Sequence, residues 1–415
     1  VLPLELDEEF PFTGSSYRGP DPKYAELRAE CPVAKVRTNT GTPTWVITKY
    51  EDVRAGLADP RLSRALTCVE GAPQVGGAMT TTPEMIISLD GSEHSRLRKL
   101  VMGAFTVRKV EAMRAGVQKV CDELLDAVEL RGGPVDLVEA LCVPLPLTII
   151  GDLLGVPTED LKIFETDARA FATFDENDPE APMRAFGRLA GYVMGLIAQK
   201  REKPGQDMLS DLISARDNDD KLSEQELVTF AFTLIGAGFD TAANQISNSV
   251  LALLHDHPDT WQRLVADPAL IPAAVEELLR HVNLFATDTT GFHRIAAEDL
   301  ELGGQKISAG DAVFFVLSSA NRDADVFENP DVLDIDRAAN PHIAFGHGVH
   351  YCLGKQLGRM EMAIAIEGLT RRFPDLRLAV PYEDLRWHQG EINHSLVTFP
   401  VTWGQPVSDH SGRES

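Results

Sequence analysis

A lone thiol, Cys352, stands in the stretch AFGHGVHYCLG, residues 344–354, among Gly346, Gly348 and Gly354 and close to His347 and His350. Glycines allow tight turns and close approach of backbone amides to a sulfur. The run that follows, KQLGRMEMAIAIEGL, has helical character, so the thiol would lie near a helix N-terminus, where negative charge is favoured. A thiolate there could ligate a metal or attack as a nucleophile. Both histidines share its turn and no third orienting group accompanies them, which weakens the nucleophile reading. One thiol in the cluster also argues against zinc.

A second constellation is AGFDTA, Ala237 to Ala242. Gly238 costs about 1 kcal/mol relative to alanine inside a helix, and Asp240 needs a partner if it is buried. Thr241 can bond the carbonyl of Ala237, four residues back, and loosen the helix there. A groove that passes protons and a simple kink with a solvated Asp240 are both open. In GSEHSRLRKLV, His94 and Arg98 sit four apart on one helix face and could grip a carboxylate if Arg294 and His350 join them. Glu277 and Arg280, three apart in PAAVEELLRHV, can pair on one face.

Long helices must position these groups. Ser223 and Glu226 form a capping-box pattern, and no proline interrupts Leu227 to His257, giving a helix of about 46 Å. Its first half, LVTFAFTLIGAGF, is apolar all round and should run through the core. Near the start, AKVRT and TWVITKY flank NTGTP and read as a hairpin. Strand character returns in DLELGGQKISAGDAVFFVL and HSLVTFPVTW, so the chain is mainly α with small β-sheets.

Composition limits what such a chain does. Of 415 residues, 44% are hydrophobic and 25% charged, enough for a large core, and the net charge of −24 argues against nucleic acid and anionic membranes. Cys31, Cys68, Cys121, Cys142 and Cys352 include no CxxC pair and make no disulfide framework. The start, VLPLELDEEF, lacks the pattern of a signal peptide, and LCVPLPLTIIGDLLGV is broken by Pro144, Pro146 and Asp152. These features lead us to expect a cytoplasmic protein without a membrane anchor.

Phe345 to Gly354 resembles the haem-ligand signature of the cytochrome P-450 superfamily, with its phenylalanine, glycine, basic residue, cysteine and final glycine in register. The other motifs follow in family order. His94 and Arg98 resemble the pair of helix C, Ala237–Thr241 that of helix I, and Glu277 with Arg280 that of helix K. FENPDVLDIDR resembles the meander that adds Arg337 to the last pair. Position 242 departs from many members, carrying alanine where they have threonine or serine.

The resemblance implies one domain over residues 1–415, with a short flexible tail from about 405, and haem b between helices I and L. Cys352 would be the iron ligand. His94, Arg98, Arg294 and His350 would hold the propionates, while Ala237, Gly238, Phe345, Gly346 and Gly354 would border the cofactor. Asp240 and Thr241 would deliver protons, and Glu277, Arg280 and Arg337 would form a structural network. The implied partners are O2, a small substrate, a ferredoxin and its NAD(P)H-dependent reductase. Lys355, Arg359, Arg371 and Arg372 would offer the ferredoxin a basic face.

By the same resemblance, Met79, Met85, Phe171, Phe174, Phe239, Leu284, Phe285, Ala286, Thr287 and Ile392 would line a mostly apolar substrate pocket. Hydroxylation in polyketide, macrolide or terpenoid tailoring is the expected reaction. Epoxidation, desaturation and oxidative rearrangement are alternatives on the same fold, and a haem-binding ligand sensor or a cofactor-free scaffold are alternatives in function.

Overall fold

The capping box at Ser223 forms in the computed structural model. Its hydroxyl accepts from the Glu226 amide at 3.0 Å, and its own amide donates to the Glu226 carboxylate at 2.7 Å. The structure describes residues 5–39, 41–73, 82–172, 178, 180–219, 222–286 and 293–404. Among these, the helices of eight residues or more begin with α1 (Lys23–Glu30), α2 (Tyr50–Ala58), α3 (Gly91–Met102), α4 (Val107–Arg131), α5 (Pro144–Leu154), α6 (Leu161–Ala172) and α7 (Ala181–Glu202). They continue with α8 (Met208–Asp219), α9 (Glu224–Gly238), α10 (Asp240–Leu251), α11 (Pro258–Ala266), α12 (Ile271–His281) and α13 (Lys355–Arg372).

The expected continuous helix from Leu227 to His257 is therefore divided. Phe239, at φ −100° and ψ −45°, separates α9 from α10, and Ala252–Asp256 widens into a π turn. Beside the break, Thr241 Oγ1 donates to the Ala237 carbonyl at 2.8 Å, a bond that competes with the backbone ladder. By length and hydropathy alone, Glu224–Asp256 could cross a membrane, but 56% of its most apolar window is buried within the protein. Asn244, Gln245, Ser247 and Asn248 are buried too, as fits a core helix.

The hairpin expected near the start is present. Strands β2 (Val33–Thr38) and β3 (Pro43–Ile47) pair antiparallel, with Val33 opposite Ile47. With β1 (Glu5–Phe10), β4 (Leu62–Ser63), β6 (Arg294–Ala296) and β9 (Ala312–Phe315) they form a sheet in the order β1-β2-β3-β9-β6-β4. A three-stranded sheet joins β5 (Val135–Asp136), β10 (Arg377–Leu378) and β11 (Pro400–Thr402), and β7 (Leu300–Leu302) pairs with β8 (Gln305–Ile307). One apolar core unites α4, α10, α12 and α13, and a second unites α5, α7 and α9. The broken helix thus belongs to both cores, with its polar break where they meet.

Candidate active site

The Cys352 loop is held from both sides. The Cys352 amide donates to the Phe345 carbonyl at 2.9 Å, and the Gly346 amide to Ile343 at 2.8 Å. Gly346 and Gly348 have φ of +75° and +71°, the left-handed region that favours glycine. At Gly348 space adds a second demand, because a Cβ would lie 2.5 Å from the Leu57 carbonyl oxygen of α2. Arg359 lies over the Phe345 ring at 4.6 Å, and Lys355 over Tyr351 at 3.8 Å. Burial pushes the Cys352 thiol up, opposed by the Gly354 amide, the charges of Lys355 and Arg98, and the Lys355 amide. The sulfur thus meets the helix N-terminus that the sequence places beside it.

Beside the loop, buried and half-buried basic side chains gather. His94 and His350 have ring centroids 4.4 Å apart, and Arg98 donates to the Tyr351 carbonyl. Arg294 donates to the His293 carbonyl at 3.1 Å. A fifth member escaped the sequence reading. Arg64, 0% exposed, donates to Ile87 at 3.0 Å and to the same His293 carbonyl, 229 residues away, at 2.9 Å. No spacing links it to the others.

Arg64 Nη2 and His94 Nε2 are buried without hydrogen-bond partners, and His350 Nε2 stands 3.8 Å from Asp90. Burial, and then the Arg64 charge, pushes Arg294 down to about 9. Burial pushes His94 down to about 4, aided by His350 and Arg98. Basic groups stripped of water and crowded together favour their neutral forms in this way, and a carboxylate among them would supply the missing partner. A thiol beneath amides beside such donors fits a haem, with its iron and two propionates.

Across the break, Asp240 is buried and its Oδ2 accepts from Asn393 Nδ2 at 2.7 Å. The Asn244 side chain donates to the Asp240 backbone carbonyl at 2.9 Å. Two of the pocket segments meet. Ala286 N donates to Ile392 O at 2.9 Å, and His394 N to Leu284 O at 2.8 Å, with Phe285 bridged to Asn393. Leu284, Phe285, Ala286 and Ile392 are half-buried along this seam.

Three expectations need correction. Phe239, 0% exposed, packs into the α5–α7–α9 core instead of facing a pocket, and Met85 is buried in the same core. At Gly238 the Cβ direction points at Ile150 of α5, 2.9 Å away, so its smallness serves helix packing rather than a groove. Ala237 precedes it at the end of α9, its carbonyl taken by Thr241. Met79, Phe174 and Thr287 lie outside the described residues, as do the side chain of Phe171 and the tail from 405.

Glu277 anchors the implied network. Its carboxylate accepts from Arg280 at 2.6 and 2.8 Å, from Arg337 at 3.2 and 3.4 Å, from Asn340 at 3.1 Å and from the Asp334 amide at 2.8 Å. Arg280 donates further to the carbonyls of Asn321, Pro330 and Val332. Glu276, unremarked in the sequence, accepts from Arg359 at 2.6 and 2.9 Å and lies 3.0 Å from His342 Nε2.

The basic face is also corrected. Arg371 pairs with Asp122 at 2.9 Å and Arg372 with Asp126 at 2.7 Å, both acids on α4. These two arginines end α13 while Lys355 begins it, so they cannot share a patch.

Known proteins resemble this chain along nearly its whole length. A family model described as Cytochrome P450 matches residues 173–376. Nocardicin C N-oxygenase of Nocardia uniformis subsp. tsuyamanensis is 45% identical over 92% of this chain and 95% of its own. Mycinamicin IV hydroxylase/epoxidase of Micromonospora griseorubida is 40% identical over 92% and 95%. The crystal structure of the LnmA cytochrome P450 hydroxylase from the leinamycin pathway of Streptomyces atroolivaceus superposes with a TM-score of 0.87 at 43% identity, covering 95% of this chain and 100% of that one. With relatives this similar along nearly the whole chain, and a sulfur and cation cluster suited to the cofactor, the chain belongs to the cytochrome P450 family.

Proposed function

We propose that this cytochrome P450 monooxygenase binds haem b through the Cys352 thiolate and places one oxygen atom of O2 into a mostly apolar small molecule of bacterial secondary metabolism. One observation carries the ligation: the Cys352 sulfur lies beneath the Gly354 and Lys355 amides, in a protein that also buries Arg64 Nη2 and His94 Nε2 without hydrogen-bond partners. Bound there, the haem supplies oxygen activation, which a thiolate ligand promotes by donating electron density.

The protein's own groups do the rest. His94, Arg98, Arg294 and His350, with Arg64 behind them, would hold the two carboxylates and fix the ring's orientation. Phe345, Gly346 and Gly354 would bracket the ligand side. Asp240 and Thr241 would move protons from the break between α9 and α10 into the pocket. Leu284, Phe285, Ala286 and Ile392 would border the substrate with mainly apolar surface. Electrons would come from NAD(P)H through a ferredoxin reductase and a ferredoxin in the cytoplasm, with Lys355 in the docking surface.

The relatives' names include N-oxygenation, hydroxylation and epoxidation, so pocket shape more than fold selects the outcome. Hydroxylation is the default. The reduced, carbon monoxide-bound spectrum of purified protein tests the ligand. We expect the long-wavelength band of thiolate ligation in the parent and its loss in Cys352→His, and an identical band in both would refute the assignment.

A further inference from the structure

The segment Glu391–Leu396 joins two parts of the site. On one side it pairs with Leu284–Ala286 along the proposed substrate wall. On the other it is stitched to α10 at two points, Asn393 to Asp240 at 2.7 Å and Asn248 to the His394 carbonyl at 2.7 Å. On α10 these points are eight residues, or about two helical turns, apart, while on the segment they fall on neighbouring residues. Neighbouring side chains of an extended chain point to opposite sides. Asn393 is turned toward the acid and 4% exposed, and the half-buried Ile392 beside it is the proposed substrate contact.

We propose that Asn393 is a positioning residue for Asp240, coupling the seat of the substrate to the orientation of the acid. The proposal rests on the reading of Asp240 as proton donor. Two features of the amide suit it to the task. Its NH2 donates to a carboxylate, and after a half-turn of the side chain its C=O accepts from a carboxylic O–H. The oxygen such a turn would use, Asn393 Oδ1, is buried and without a hydrogen-bond partner. A guanidinium or ammonium could serve only the ionised form.

The proton balance is simple. The Asp240 O–H bond breaks and its electron pair stays on the carboxylate. The proton would pass to the Thr241 hydroxyl oxygen, whose own proton would leave its bond to the Ala237 carbonyl for the oxygen being reduced in the pocket, and a solvent hydronium ion would restore Asp240. Asn393 neither gains nor loses a proton. It follows the carboxyl group through both forms. Substrate pressing on Ile392 would set when the acid is aimed.

The test uses the haem-loaded enzyme with its electron carriers, and a second, spectroscopic reading. In Asn393→Leu we expect about a tenfold fall in product formed per NAD(P)H, with peroxide released instead, as when a supporting hydrogen bond is removed. The infrared carboxyl bands of Asp240, identified by their loss in Asp240→Asn, should shift in the same variant without substrate or electron carriers. Asn393→Asp keeps the shape and should uncouple as well, which keeps the test alive if the leucine variant misfolds.

In the double variant Asp240→Asn/Asn393→Leu the losses should not add, because Asn393 acts only through the acid. Additive losses, or unchanged coupling and bands in both Asn393 variants, would overturn the proposal. If Asp240→Asn itself stayed fully coupled, the proton-donor reading would fail first and this one with it.

Discussion

The Glu277 carboxylate gathers the side chains of Arg280, Arg337 and Asn340 and the amide of Asp334. With the side chains of Arg280 and Glu277 0% and 1% exposed, removing the negative charge strands a buried guanidinium. Glu277→Gln should cost about 3–5 kcal/mol, read by chemical denaturation, and a loss below 1 kcal/mol would show that water reaches the pair. This residue, Arg280 and Cys352 were legible in the sequence because local spacing or a dense signature marks them. The bond from Thr241 to Ala237 was legible for the same reason, since four residues in a helix fix the geometry. Arg64 and Asn393 were not. Each acts through contacts made only when distant segments fold together, and a lone arginine or asparagine in a loop carries no periodic signal.

At the scale of elements, α13 carries the thiol loop at one end and a hidden acid in its middle. Burial pushes Glu361 up to about 8 from an ordinary value of 4.5. The unfolded chain gives up this proton as pH rises past 4.5, while the folded chain keeps it until about 8. Unfolding in that window therefore releases a proton, and stability falls as pH rises through it. The neutral variant Glu361→Gln should gain on the parent by about 2–4 kcal/mol between pH 5 and pH 8. Urea denaturation at the two pH values measures this, and parallel pH dependence would place a charge partner beside Glu361. The helix itself was legible from its pattern, as was the capping box of α9. Loosening beside Thr241 was legible from its spacing to Ala237, but apolar periodicity does not place the break at Phe239.

For the whole molecule, the charge of −24 makes any positive surface a minority feature. Lys355 stands about 24 Å along α13 from Arg371, more than two Debye lengths at ordinary salt. Lys355→Glu should slow reduction by an acidic ferredoxin about tenfold at low salt and little at high salt. Arg371→Glu should leave the rate within about twofold, and equal effects from both variants would remove Lys355 from the docking surface. Charge totals predicted only that docking must be local, because they carry no positions.

The glycine that lets the thiol loop rest on α2 has a wider meaning. One hydrogen atom, in place of a methyl group, sets the spacing between chain segments from opposite ends of the sequence, with the Tyr50 hydroxyl adding a tie to the Pro341 carbonyl at 2.6 Å. A graft that exchanges this loop with a relative's must therefore carry residues 50–58 with it, or the transplanted sulfur will arrive at the wrong height.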